Sequence, residues 1–490
     1  MRRAAPVLAF GSLGLLAVSS ALPAHAQGAI AFDPPVKLTQ FAACGGYEPG
    51  VMVDTYGNIV VTAHKQNHCD GAAVDPQGSP VPARGESWLW TSTDGVHFTD
   101  MPGLSAGGVD TGADRLDVGD EGHVVRDDSG NIYFADLKLA DDTFTAYKAT
   151  GLGQVGLTSH SPLVVTAQGV DDRPWLAAHG NGVVMLASNS GDSAVYSSPN
   201  GNGKGRYTLY MSYDGGATFD HVGVTIPNSG WCFPAADHRP GSQDLYVACG
   251  DDNGHLFAYV SHDDGHTASG WTSHPIGTYN PNSNAWGSSG SWPILSVAPD
   301  GTLYVLHVDQ DGSAASGAFH FHIYRSTDQG TTWADWDATP QQGTISSNAG
   351  PAWLDVAPDG SLGIDYFVEP PGDTNWHTMA GTTPAWGTPF TVGDASPGLP
   401  PGSDSTVTPW GDFLSCAFDP QGRLDVAWTG IDSLGDGGLL NSDVYFARQT
   451  GAPNVDVPEA PLPALLLVPG FAAVALTGGV LRRRRGAARG

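Results

Sequence analysis

Ser326-Thr327-Asp328-Gln329-Gly330-Thr331-Thr332-Trp333 is the stretch that decides how this chain folds. Its pattern, Ser-x-Asp-x-Gly-x-Thr-aromatic, describes a tight turn. An Asp carboxylate accepts hydrogen bonds from the backbone N–H groups that follow it. Glycine supplies a backbone conformation that other residues avoid, and the aromatic ring packs beside the turn. The pattern returns at Ser212-Tyr213-Asp214-Gly215-Gly216-Ala217-Thr218-Phe219. A copy one residue shorter, Ser92 to Phe98, surrounds Asp94, and Ser261 to Thr267, around Asp263, keeps the front without the immediate aromatic.

Upstream of these turns a second unit recurs: an apolar run, an Asp/Gly turn, then another apolar run. Val51-Met52-Val53-Asp54-Thr55-Tyr56-Gly57-Asn58-Ile59-Val60-Val61 is one copy, and Val124 to Phe134 is another. Leu295 to Leu306 turns at Pro299-Asp300-Gly301, Asp355 to Tyr366 at Pro358-Asp359-Gly360, and Cys416 to Trp428 at Pro420-Gln421-Gly422. Looser copies run from Trp175 to Ala187 and from Phe233 to Cys249. Each reads as a β-hairpin with buried strands. The units begin near Glu48, Glu121, Arg173, Cys232, Trp292, Ala352 and Phe413. A repeated hairpin followed by an outer turn predicts an all-β propeller, seven-bladed by this count, with six blades as the alternative. Pro35 to Gln40 is expected to add an outer strand to the last blade, and the sixth unit reads as the weakest.

These turns resemble those of the sialidase-like, Asp-box (BNR) repeat propellers, and the resemblance covers most of the chain between its ends. Glu48-Pro49, Gly119-Asp120, Asp172 to Ala177 and Asp443 to Gln449 are similar in order to bacterial exported proteins of the exo-sialidase-like group. In that family the Asp-boxes lie on outer turns, so Asp94, Asp214, Asp263 and Asp328 are expected to be structural. A sialidase needs three arginines around a substrate carboxylate, a Tyr nucleophile with its Glu partner, and an Asp acid/base. Between the end segments this chain has Arg84, Arg115, Arg126, Arg173, Arg206, Arg239, Arg325, Arg423 and Arg448. None is in an Arg-Ile-Pro setting, and Arg173 is the one well placed for a ligand.

The innermost strands of a propeller begin at one level beside the channel. Residues at that phase are Glu48, Asp120, Glu121, Asp172, Arg173, Trp231, Trp292, Trp353 and Asp412. Glu48, Glu121, Arg173, Trp231, Trp292, Trp353 and Asp412 are the expected ligand-binding set, and Asp172, Arg173, Glu48 and Asp120 are the catalytic candidates. Trp faces stack on sugar rings, and carboxylates bind hydroxyls or work in pairs on glycosidic bonds. The same residues also have a structural reading, in which Trp packs between blades and the acids hold backbone amides or an axial ion. Asp117, Asp120 and Glu121 form an oxygen-rich cluster that would suit Ca²⁺, without the spacing of an EF-hand loop.

The ends read as targeting segments. Arg2, Arg3, an apolar run and Ala24-His25-Ala26 predict a signal peptide over 1–26. The propeller is assigned to 27–452 and a linker to 453–460. Residues 461–481 form an apolar span long enough to cross a bilayer, and 482–490 a basic cytoplasmic tail. Val457-Pro458-Glu459-Ala460-Pro461 resembles C-terminal sorting signals of the Pro-Glu-Pro type, which implies a membrane sorting protease or transpeptidase as partner, while simple anchoring by the helix is equally open. Seven of the 21 Lys and Arg lie in these ends, which leaves 14 against 50 acids, a net charge of −36. That charge argues against nucleic acid as a partner. Cys44 with Cys69, and Cys232 with Cys249, are expected local disulfides of an exported protein, with Cys416 left as a buried thiol. The function expected is therefore an exported, surface-anchored propeller that binds a glycan or protein. A glycoside hydrolase or lyase and a structural spacer are the competing readings.

Overall fold

A computed structural model of the protein describes residues 29–39, 46–65, 87–100, 119–138, 143–149, 159–163, 171–180, 182–190, 206–219, 221–227, 229–251, 253–280, 293–310, 319–340, 352–368, 377–397, 414–434 and 440–451. The described strands form seven antiparallel sheets. Their innermost strands are Gly46–Val53, Gly119–Arg126, Asp171–His179, Ser229–Ala236, Ile294–Val297, Ala352–Val356 and Ser415–Phe418. Each lies against the next, and Ser415–Phe418 lies against Gly46–Val53, which closes the ring. The chain is an all-β propeller.

Six sheets hold four strands or more, so the expected count of seven full blades is corrected. The fifth sheet has three strands, Ile294–Val297, Leu303–Gln310 and Phe319–Ser326. Beside its outer strand the chain runs antiparallel without forming a full fourth strand: His322 bridges Asp337, Arg325 bridges Ala334, Ile323 N donates to Trp336 O at 2.9 Å and Ala338 N to Phe321 O at 2.6 Å. The ladder is interrupted where Ile323 O accepts from Trp386 Nε1 at 3.0 Å, and the Trp336 ring packs onto Trp386 and Phe390, which lie between the outer strands of the sixth sheet. The sixth sheet, expected to be the weakest, is a complete four-stranded one ending in Thr391–Asp394.

The second strand of a blade is covered on both faces, and its sequence is accordingly mostly apolar without strict alternation. Leu362–Val368 is buried at every position. Third strands alternate, as Phe319–Ser326 does. The hairpin turns hold by their acids: Asp419 accepts from the N–H groups of Gln421 and Arg423, both at 2.9 Å, while Gly360 adopts φ +86° in the sixth unit.

The Ser-x-Asp-x-Gly-x-Thr turns end third strands, two strands out from the channel wall. Asp328 accepts from Thr332 N at 2.9 Å and Thr332 Oγ1 at 2.6 Å, and Ser326 Oγ accepts from Gly330 N at 2.9 Å. Gly330 is at φ +84°, and a Cβ there would meet Val260 of the fourth sheet at 3.0 Å. Asp214 and Asp263 make the same bond to their Thr hydroxyls, and Asp94 uses His97 N instead.

Ring closure joins the two ends of the propeller. Ala31–Phe32 and Val36–Lys37 pair with Leu440–Thr450, so the early segment supplies the outer strand of the last sheet, as expected from Pro35 to Gln40. Lys37 Nζ and Thr39 Oγ1 both bond Asp443. Cys232 and Cys249 face each other across the fourth sheet and are disulfide-bonded, and Cys416 is a buried free thiol. Cys44 and Cys69 lie outside the described residues, as do the signal peptide, the linker and the apolar C-terminal span. Among the described residues no helix is long and apolar enough to cross a membrane.

Candidate functional site at the channel

All seven innermost strands line a central cavity of about 600 Å³. Its walls run from the middle of each strand to the hairpin turns. Towards the strand starts it ends at an aromatic layer. Trp175 lies 5.1 Å from His123, 5.0 Å from Phe233 and 5.8 Å from Trp353, measured between ring centroids. Phe233 and Trp353 meet edge to face at 5.0 Å. These four residues come from the second, third, fourth and sixth sheets. Trp353, expected on the rim, therefore sits in this layer and is buried.

Above the layer, four successive innermost strands break register at the same end. The shifts fall between Tyr47 and Gly50, Gly119 and Gly122, Asp172 and Trp175, and Ser229 and Trp231. Each inserts one extra residue, which is a β-bulge, and bulges re-aim side chains beside functional sites. The bulges hold Glu48-Pro49, Asp120-Glu121 and Arg173-Pro174, with Asp172 and Trp231 at their edges. Glu48, Asp120, Glu121, Asp172, Arg173 and Trp231 are thus brought by their backbone positions to one end of the ring. Trp292, Asp412 and Asp117 lie outside the described residues.

Glu48 is buried and adopts φ +53°, the left-handed region that a residue with a Cβ enters at a cost of about 1–2 kcal/mol. Its N–H donates to Thr429 Oγ1 of the last sheet at 3.0 Å. Strain held at such a position is characteristic of functional sites. Glu48→Gly and Glu48→Ala both lose the carboxylate, but only glycine relieves the backbone. We expect Glu48→Gly to be about 1 kcal/mol more stable than Glu48→Ala in urea denaturation. Equal stability would show that the conformation costs nothing.

Two channel residues escaped the sequence reading. Asp355 lines the cavity and accepts from Phe418 N at 2.7 Å. Burial pushes its carboxyl up to about 6, opposed by its backbone hydrogen bonds and by the charge of Arg126 on the second sheet. Arg126 lines the same cavity. The signal available was a charge within the otherwise apolar run Trp353-Leu354-Asp355-Val356. A carboxyl raised above its unfolded value contributes stability that is full below about pH 4 and is lost as pH rises through 6. Asp355→Asn should therefore be more stable than the parent at pH 7.5 by about 1–2 kcal/mol, with the gap closing by pH 4. Thermal melts across that range check the sign.

The other described arginines near the hairpins are engaged. Arg239 forks onto Asp237, Arg423 bonds Asp419, and Arg325 lies over Trp386 at 4.3 Å. No three described His, Cys, Asp or Glu side chains converge as a metal centre.

No family model and no curated protein matches the chain. Solved structures do. A protein of unknown function from Dyadobacter fermentans is 13% identical, with a TM-score of 0.44, over 86% of this chain and 99% of that one. An α-L-arabinofuranosidase from Fusarium graminearum is 13% identical, with a TM-score of 0.41, over 86% and 97%. The NanB sialidase from Streptococcus pneumoniae is 11% identical, with a TM-score of 0.39, over 82% and 68%. Likeness at this level carries no chemistry from those proteins to this chain.

Proposed function

We propose that the protein is an exported, surface-anchored Asp-box propeller that binds an extracellular glycan or protein at the strand-start end of its channel. The observation that carries this reading is the set of four bulges. One bulge is a local irregularity, whereas four at one level, holding Glu48, Asp120-Glu121 and Arg173, form a constructed rim. The aromatic layer beneath gives that rim a floor. Acidic residues and an arginine gathered by their backbone positions at one end of the ring suit a polyhydroxylated ligand. The strained, buried Glu48 favours a second reading, in which paired acids with Arg173 hydrolyse a glycosidic bond.

The test is a glycan array and a chromogenic glycoside panel on the purified full chain, with and without Ca²⁺. Glu48→Gln, Asp172→Ala and Arg173→Ala run beside it. Binding that falls at least tenfold in the variants, without turnover, supports the binding reading. Turnover lost in the variants establishes the hydrolase. Binding or turnover unchanged in all three places the site elsewhere and overturns the rim. Membrane fractionation before and after removal of residues 461–490 tests anchoring, and release of the truncated chain is the expected result.

A further inference from the structure

The fifth sheet, incomplete at its outer edge, carries a feature unrelated to the channel. In Phe319-His320-Phe321-His322 the phenylalanines are buried, while the histidines are partly exposed on the opposite face. Residues two apart on a strand share a face. Across the ladder His320 pairs with Asp309 and His322 with His307, so His307 and Asp309 lie on that face as well. On the other side the segment bridged to Phe319–Ser326 brings two more acids. His320 Nδ1 is 3.1 Å from Asp337 Oδ2, and His322 Nδ1 is 3.0 Å from Asp335 Oδ1. The two rings have centroids 6.3 Å apart. His307 is buried, its imidazole is pushed down to about 3 by burial, and its Nδ1 makes no hydrogen bond among the described residues.

We propose that His320 and His322 chelate a divalent transition-metal ion of the Zn²⁺, Ni²⁺ and Cu²⁺ group on this face of the fifth sheet. Imidazole prefers these ions to Ca²⁺ or Mg²⁺. Each Nδ1 is held by its own carboxylate, so each ring ligates through Nε2. A carboxylate behind a ligating histidine fixes its tautomer and orientation and raises its basicity. Asp309, Asp335 and Asp337 add a negative field that attracts a dication. His–Asp pairs occur elsewhere in the protein, at His97–Asp94, His255–Asp251 and His377–Asp394. Those are single pairs; the fifth sheet presents two on one face of one strand. Because no third described side chain converges with them, the site is a two-nitrogen chelate completed by water.

The test is Cu²⁺ titration of the purified full chain after removal of metal, followed by calorimetry and by the nitrogen hyperfine pattern in electron paramagnetic resonance. The expected result is a site with two-nitrogen coordination. His320→Gln and His322→Gln should each weaken it at least tenfold, and Asp335→Asn with Asp337→Asn by about 10–100-fold. His97→Gln and His255→Gln should leave it unchanged. Melting temperatures of all these variants, measured without metal, separate lost ligation from lost fold. Absence of binding, or unchanged binding in correctly folded His320→Gln and His322→Gln, overturns the proposal.

Discussion

Replacing Arg448 by alanine should cost about 3–5 kcal/mol, because the change strands a buried carboxylate. Arg448 lies directly opposite Asp425 in the last sheet, and both are buried. Its Nε and Nη2 donate to the two oxygens of Asp425 at 2.7 and 2.8 Å, a bidentate pair. Its Nη1 reaches Asp94 O of the first sheet at 3.4 Å, and a Cβ on Gly95 would meet its guanidinium carbon at 3.3 Å. The pair therefore stands at the seam where the last sheet meets the first. Burial pushes the Asp425 carboxyl up even with Arg448 beside it. Without the arginine that push is unopposed. A raised carboxyl favours folding at low pH and loses that contribution as pH rises through its folded value. The Arg448→Ala deficit should thus be large at pH 7.5 and shrink towards pH 4, where Asp425 is neutral. Urea denaturation at the two pH values reads it. Asp425→Leu with Arg448→Met should recover most of the loss, since a buried pair contributes little net stability compared with well-packed apolar residues. A single Arg448→Ala variant within 1 kcal/mol of the parent would mean that water reaches Asp425.

How much of this was legible depended on how local the physics is. Hairpin turns such as Pro358-Asp359-Gly360 show in the sequence because one carboxylate and one positive φ close them within four residues. The phase of the inner strands is local too, and it singled out Glu48 and Arg173. Their bulges are a relation between two strands, which periodicity along one strand does not reveal. A signal did exist: both residues precede prolines, Pro49 and Pro174, which cannot donate to a ladder and within sheets favour edges and bulges. Trp353 was placed on the rim by phase alone. Its position in the aromatic layer follows from Trp175 and Phe233, whose distance along the chain hides the contact. The missing fourth strand of the fifth sheet was hidden for a related reason. Asp335 and Asp337 look like ordinary turn acids until His320 and His322 are seen opposite them.

The aromatic layer gives the other large effect. Trp175→Ala should destabilise the protein by about 3–5 kcal/mol, the range for removing a buried large aromatic. The ring is 2% exposed and touches His123, Phe233 and Trp353, residues of three other sheets, so no single blade can relax to refill the space. The void would open into the 600 Å³ channel and admit water. His123 reports on that water. Its Nδ1 accepts from Leu176 N at 2.8 Å, and burial pushes its imidazole down to about 3. A histidine so depressed contributes stability that is full above its unfolded value near 6.5 and is lost as pH falls towards 3. Hydration in the variant would let His123 protonate more easily and reduce that acid loss. The gap between parent and variant should therefore narrow between pH 7.5 and 4.5, while Trp175→Phe, which keeps the layer closed, should cost less and keep the parent's pH slope. Thermal melts at the two pH values separate the cases. A Trp175→Ala gap that is constant with pH would show that the layer stays dry, and hence that it seals the channel from the rim without this ring.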